Sequence, residues 1–178
     1  MGNERKTVAV FGSGKAKENS EPFRIAHETG FLLAKAGFAV ANGGYGGCML
    51  ASAKGAKAAS GRTIGVTTDE FYGAAKNEFI DREIRTPTWH DRLCRLIELG
   101  DGFVVLDGGT GTLAELAVAW EMKNKKLHEK PIVILGRTMH AAVRALKQNP
   151  EVQVPEEFQP ASTPQEAVQY LMNALRHA

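Results

Sequence analysis

The sequence predicts an α/β fold: a Rossmann-like, three-layer α/β/α arrangement with a parallel sheet, in a single domain over residues 1–178. Three observations predict it. Short apolar runs of strand length alternate with helical patterns along the chain, the order that builds βαβ units. Runs such as Gly102-Phe-Val-Val-Leu106 are continuously apolar, as expected of strands covered on both faces. Three of the runs end in glycine-rich turns, Gly12-Ser13-Gly14, Gly43-Gly44-Tyr45-Gly46-Gly47 and Gly108-Gly109-Thr110-Gly111-Thr112. In a parallel sheet these turns reach one edge, beyond the carboxyl ends of the strands, where such folds bind ligands.

Each element has a local reason. Thr7 to Phe11 is the first strand. Ser20-Glu21-Pro22 supplies a cap and an early proline for a helix carrying Phe23, Ala26, Gly30, Leu33 and Ala34, and Gly37 stops it. Phe38 to Ala41 is the second strand, and an alanine-rich helix runs from about Cys48 to Ala59. Thr63 to Thr67 is the third strand. Asp69 to Asn77 lacks periodicity and reads as a loop or a short helix over the sheet, followed by a weak strand at Phe79 to Ile84. Thr88 caps a helix from Trp89 to Leu99 whose apolar stripe is Trp89, Leu93, Leu96 and Ile97. After the strand at Gly102 to Leu106 come a helix at Leu113 to Lys123, a strand at Pro131 to Leu135 and a helix from about Met139 to Lys147. Asn149 to Pro160 is expected to be irregular. Thr163-Pro164-Gln165-Glu166 is a capping box for a last helix with Ala167, Leu171 and Leu175 on its buried side.

Composition narrows the function classes. A formal net charge of +2 on 178 residues implies neither a polybasic nucleic-acid surface nor an acidic tail. The cluster Lys123-Asn124-Lys125-Lys126 sits where cations complement a helix C-terminus. Cys48 and Cys94 have no metal or disulfide spacing and fall in apolar helical patterns, so both are expected to be buried, inert thiols in a reducing compartment. No apolar run approaches the roughly 20 residues of a membrane span, and a cytoplasmic protein without membrane or nucleic-acid partners is the expectation.

The stretch from Leu106 to Glu115 carries the chemistry. A Gly-Gly-Thr-Gly-Thr turn between a buried strand and a helix gathers backbone N–H groups and hydroxyls on an anion at the positive helix end. Glu115, about one turn into that helix, has no electrostatic use at an anion site, so it points to chemistry on the bound molecule. The plainer reading is a first-turn glutamate that favours its helix dipole. A dinucleotide site fits poorly. Gly12-Ser13-Gly14-Lys15-Ala16-Lys17 lacks the third glycine of the fingerprint, and the second strand ends at Asn42-Gly43 with no acid for a ribose diol. No Walker lysine occurs, so a mononucleotide fits better.

With those residues in view, the chain resembles the LOG family of cytokinin riboside 5′-monophosphate phosphoribohydrolases, once labelled lysine decarboxylase-like and related to molybdenum-cofactor carrier proteins. The resemblance runs from about Val8 to Leu135. Gly108-Gly109-Thr110-Gly111-Thr112-Leu113-Ala114-Glu115 matches the family's Gly-Gly-x-Gly-Thr-x-x-Glu. Trp89-His90-Asp91-Arg92 resembles its Met-His-x-Arg-Lys, Gly43 to Met49 its second glycine signature, and His128-Glu129-Lys130-Pro131 its His-Asp-Lys-Pro. The resemblance implies AMP-type ligands, no cofactor, no metal, and a homodimer or higher homo-oligomer. It also implies hydrolysis of the N-glycosidic bond to free base and ribose 5-phosphate, with Arg92 and Glu115 as the catalytic pair.

On that footing, Gly108, Gly109, Thr110, Gly111 and Thr112 hold the 5′-phosphate, and Arg92 orients phosphate or ribose. Glu115 lies near C1′ and stabilises an oxocarbenium-like state or activates water. Gly12, Ser13, Gly14 and Met49 border the base, Gly43, Gly44 and Gly46 complete the binding edge, and His90 is structural or lines the pocket. A carrier that binds the same ligands without turnover is the alternative. Three departures bear on it: Leu93 in place of the family's lysine, Ala114 in place of its first glutamate, and Asp107 in place of its proline. Leu93 removes a cation, unless it points into the core with the apolar stripe. Asp107 sets a negative charge beside the anion site, unless it forms an Asx turn.

Overall fold

The computed structural model describes residues 5–155 and 158–176. The elements are β1 (Thr7–Phe11), α1 (Glu21–Lys35), β2 (Ala39–Asn42), α2 (Cys48–Ala58), β3 (Thr63–Thr68), β4 (Arg82–Thr86) and α3 (Trp89–Leu99), then β5 (Gly102–Val105), α4 (Thr110–Asn124), β6 (Ile132–Ile134), α5 (Arg137–Leu146), β7 (Phe158–Pro160) and α6 (Pro164–Arg176). The seven strands form one sheet in the order β4-β3-β2-β1-β5-β6-β7, every pair parallel. From β1 the chain steps outward to β4, then returns to lay β5 on the other side of β1. The switch point therefore lies between β1 and β5, and the turns that follow those two strands flank it.

Strand alternation divides the core into two layers. Val8 and Val10 of β1 face a layer with Phe23, Ala26 and Leu33 of α1, Cys48 and Ala51 of α2, and Ala167, Val168 and Leu171 of α6. Ala9 and Phe11 face the other layer, with Leu93, Leu96 and Ile97 of α3, Leu116 and Trp120 of α4, and Met139 and Val143 of α5. Leu93 is thus a core residue and does not face the sheet edge.

The caps behave as their side chains require. Ser20 Oγ accepts from Phe23 N and Thr88 Oγ1 accepts from Asp91 N. Thr163 Oγ1 accepts from Glu166 N, while Glu166 reaches back to Ser162 N, so the capping box closes one residue further out than its simplest form. Lys130 donates to the carbonyls of Ile97 and Glu98 at 2.8 and 2.9 Å and closes the last turn of α3. The His128–Pro131 motif therefore lies at the amino-terminal edge of the sheet, opposite the glycine turns.

Several boundaries differ from the sequence expectation. The weak strand is β4, shifted to Arg82–Thr86, and its charged, exposed pattern is that of a sheet edge. Within 149–160, expected to be irregular, Phe158–Pro160 adds β7 to β6; a strand of this length has too few residues for a period. Residues 156 and 157 of that stretch lie outside the described residues. Cys48 is buried as expected but Cys94 is exposed, because it lies on the face of α3 opposite the sheet. Among the described residues, no helix is long and apolar enough to cross a membrane.

Helices α1 and α2 pack unusually closely. A Cβ at Gly30 would lie 2.0 Å from Ser52 O, and one at Gly55 would lie 1.9 Å from His27 O. Neither neighbour is a flexible side chain. In an unpacked helix Gly55→Ala would stabilise by about 1 kcal/mol; here we expect it to destabilise by roughly 1–3 kcal/mol through overpacking. Urea unfolding measures the sign, and an unchanged or raised midpoint contradicts the close approach.

Candidate active site

The three glycine turns meet as expected. Ser13 N donates to Asp107 O at 3.1 Å and Ser13 O accepts from Cys48 N at 2.8 Å, so the turn after β1 joins the turn after β5 to the start of α2. Gly14 and Gly46 border this junction. Burial drives the Cys48 thiol up to about 11, with Asp107 adding to the effect and the Ser13 backbone opposing it; it is an inert packing group.

The turn after β5 differs from expectation in one useful respect. Helix α4 begins at Thr110 rather than Leu113, with Gly109 as an N-cap that offers no side chain. Thr110 and Gly111 therefore belong to the first helical turn, whose N–H groups have no intrahelical acceptor. Gly109, Thr110 and Gly111 are exposed, and a Cβ on either glycine would meet open space. Thr112 is buried, its Oγ1 packed where a Cβ on Gly108 would fall. The open part of the cradle is thus Gly109 to Gly111, closed below by Thr112.

Asp107 does not oppose this cradle. Its Oδ1 accepts from Thr138 N at 2.8 Å and Met139 N at 3.1 Å, so its charge caps α5. The same atom lies 2.4 Å from where a Cβ on Gly136 would stand, which fixes the direction of the carboxylate. Sequence reasoning placed the charge beside the anion site because its partner lies 31 residues away.

Arg92 is 6 % exposed and its guanidinium reaches the carboxyl ends of β2 and β3. Nε donates to Val66 O at 2.8 Å, and Nη2 donates to Gly43 O at 3.2 Å with Met49 Sδ at 3.7 Å. Gly43 makes this possible: a Cβ there would stand 1.7 Å from Nη2. The rings of Tyr45 and Phe71 lie over the cation at 5.5 and 5.8 Å. Asn42 holds the adjoining turn, donating to Met49 O and Ser52 Oγ and accepting from Gly44 N. Burial lowers the Arg92 pKa, and the charges of Glu115 and Tyr45 oppose that shift.

Glu115 faces Arg92. Burial pushes its carboxyl up to about 7, and the Arg92 charge is what resists the rise. The two residues are electrostatically coupled, each charge favouring the other. An acid poised near neutrality beside a fixed cation is equipped for proton transfer or for stabilising positive charge on a sugar.

His90 is set apart from this pair. It is exposed and its ring packs edge-on against Trp89 at 5.3 Å, because residues two apart on a helix point roughly 200° from each other. Tyr45 and Phe71 were missed by sequence reasoning. The available signal was an aromatic residue inside a glycine turn and a pair of adjacent aromatics, Phe71-Tyr72, in a segment otherwise built for a loop.

Comparison with known proteins finds a matching family, relatives and structural neighbours. The SLOG cluster4 family (LDcluster4) matches residues 5–168. A cytokinin riboside 5′-monophosphate phosphoribohydrolase of Mycobacterium tuberculosis is 34 % identical over 136 residues, 75 % of this chain and 72 % of the relative. An uncharacterized protein of Archaeoglobus fulgidus is 34 % identical over 128 residues, 72 % of this chain and 82 % of the relative. Among solved structures, a molybdenum cofactor binding protein from Rippkaea orientalis superposes with a TM-score of 0.76 at 27 % identity, covering 97 % of this chain and 99 % of the other.

The role of Asp107 is testable by stability alone. Asp107→Ala leaves two N–H groups of α5 without their acceptor and should cost about 1 kcal/mol in chemical denaturation, with Asp107→Asn costing less. A stabilised alanine variant would mean that the carboxylate repels its surroundings.

Proposed function

Because the chain belongs to the SLOG/LOG family, we propose that it is a nucleoside 5′-monophosphate phosphoribohydrolase. Its substrate is AMP or an N6-modified relative, which it cleaves to free base and ribose 5-phosphate. The observation that carries this reading is the coupling of Glu115, raised to about 7, to the buried Arg92 beside an open helix-start cradle.

The 5′-phosphate sits at Gly109 to Gly111, held by unpaired N–H groups and the Thr110 hydroxyl. Arg92 directs Nε and Nη2 to the carbonyls of Val66 and Gly43 and to Met49 Sδ, which leaves Nη1 for the ribose. As the C1′–N bond breaks, the base leaves with the bonding pair and positive charge develops at C1′ and the ring oxygen. Ionised Glu115 stabilises that charge and takes a proton from the attacking water, and the departing base is protonated in turn. Neither Leu93 nor Asp107 stands against this reading, since one is in the core and the other caps α5.

A ligand carrier using the same cradle is the second reading. It is favoured by the likeness to the Rippkaea orientalis protein and by Ala114 in place of an acid. Chromatographic detection of adenine after incubation with AMP separates the two.

The pH dependence has a definite sign. The ionised form of Glu115 is the working one, so kcat/KM for AMP should rise through about pH 7 and level off above it. Glu115→Gln should lower kcat by at least about 100-fold and remove that limb; a variant with wild-type turnover removes Glu115 from the mechanism. Stability should move oppositely. A carboxyl raised from 4.5 to about 7 in the folded state binds more protons there than in the unfolded chain, so stability falls as pH rises across that interval. Glu115→Gln should therefore match wild type in melting temperature near pH 4 and exceed it by a few degrees at pH 8.

A further inference from the structure

Beyond Arg92, on the side away from the phosphate cradle, the loop joining β3 to β4 stands over the same sheet edge. It is pinned at both ends. Glu70 Oε2 accepts from Trp89 N at 2.6 Å and Asp69 pairs with Arg85. Asn77 donates from its backbone N to Gly44 O at 2.8 Å and from Nδ2 to Gly44 O and Tyr45 O at 3.0 and 2.8 Å. Between the pins the chain turns tightly, with Ala74 N donating to Phe71 O and Gly73 at φ +74°. The tip so held carries two aromatic rings. Phe71 is 41 % exposed and Tyr72 is 94 % exposed.

The Phe71 ring is not loose. It packs on Tyr45 with centroids 5.5 Å apart, and Tyr45 is itself fixed by its hydroxyl, which accepts from Thr68 N and donates to Thr68 O. Both rings cover the Arg92 cation. One face of this cluster thus rests on Arg92, and Tyr72, next in the chain, stands in solvent. The sheet order sets the direction. β5, which leads into the cradle, and β3, which leads into the aromatic tip, are separated by β1 and β2, roughly 14 Å at the usual strand spacing. That distance is comparable with the reach of an extended nucleoside monophosphate. On the β6 side of the cradle, Asp107 and Gly136 are in contact, so a ligand anchored at Gly109 to Gly111 and passing Arg92 extends toward Phe71 and Tyr72.

We propose that the Phe71-Tyr72 tip is the base-recognition element of this site, its rings stacking on the flat face of the aromatic base whose ribose phosphate is held by Arg92, Glu115 and the Gly109–Gly111 turn. The inference rests on the phosphoribohydrolase reading and assigns base binding to a segment outside the glycine and arginine motifs. Stacking is tolerant of base identity because every base offers a π-face, so this element selects a planar aromatic group and admits substituents at its outer rim.

The test is steady-state kinetics on AMP with the wild type, Tyr72→Ala and Tyr72→Phe, alongside inhibition by ribose 5-phosphate, which carries the phosphate and sugar without the base. Tyr72 is solvent-exposed, so its removal leaves the fold intact. Tyr72→Ala should raise KM for AMP roughly tenfold with little change in kcat, Tyr72→Phe should restore the wild-type value, and inhibition by ribose 5-phosphate should be the same in all three. An unchanged KM in the alanine variant overturns the proposal, as does an equal loss of AMP and ribose 5-phosphate affinity. It is also overturned if light scattering shows that Tyr72→Ala dissociates an oligomer, which would make the ring a subunit contact. A wild-type protein that releases no adenine overturns the hydrolase reading and this inference with it, a result separable from the others because it precedes any substitution.

Discussion

A guanidinium is buried where the second and third strands end, and much of the molecule is arranged to permit it. Removing such a charge from water is expensive unless its donors find acceptors. Arg92 meets that demand with the carbonyls of Val66 and Gly43 and two aromatic faces. The acceptors are available because strand ends leave carbonyls unpaired beyond the last register pair. The space is available because residue 43 lacks a side chain. Asn42 in turn ties the Gly43–Gly44 turn to the start of α2. The cation is therefore built into the fold before any ligand arrives.

Glu115 is the counterpart of that arrangement. Placed five residues into α4, it is too far from the helix start to gain much from the dipole, and burial raises its pKa. An acid held this way is a local cost to stability, and local costs of this kind concentrate where chemistry is done. The rest of the edge is arranged without comparable strain. Asp107 spends its charge on α5 and Leu93 is packed between α3 and the sheet, so the two substitutions that look most damaging to an anion site act elsewhere.

The two edges of the sheet divide the work. At the carboxyl edge stand the exposed start of α4, the buried Arg92 and the raised acid Glu115. At the amino edge, Lys130 closes α3 and His128 accepts from Lys130 N through Nδ1. The His128–Pro131 motif resembles a family signature as clearly as the others do, yet it serves the scaffold. Resemblance alone does not separate structural motifs from chemical ones; the strand end at which each stands does.

The parallel sheet, its two helical layers and the meeting of three glycine turns were legible in the sequence because they follow from local periodicity, caps and glycine placement, properties that need only neighbours along the chain. Arg92 and Glu115 were legible as a pair only through motif resemblance, since nothing local distinguishes them from solvated helix residues. β7 and the exact start of α4 were not legible, because three residues carry no period and an N-cap glycine leaves no side-chain signal. Tertiary structure alone decided the rest. The direction of the Asp107 carboxylate, the burial of Leu93, the exposure of Cys94 and the stacking of Tyr45 and Phe71 on Arg92 each depend on groups brought together across tens of residues. Such contacts exist only once the sheet order has placed the strand ends side by side.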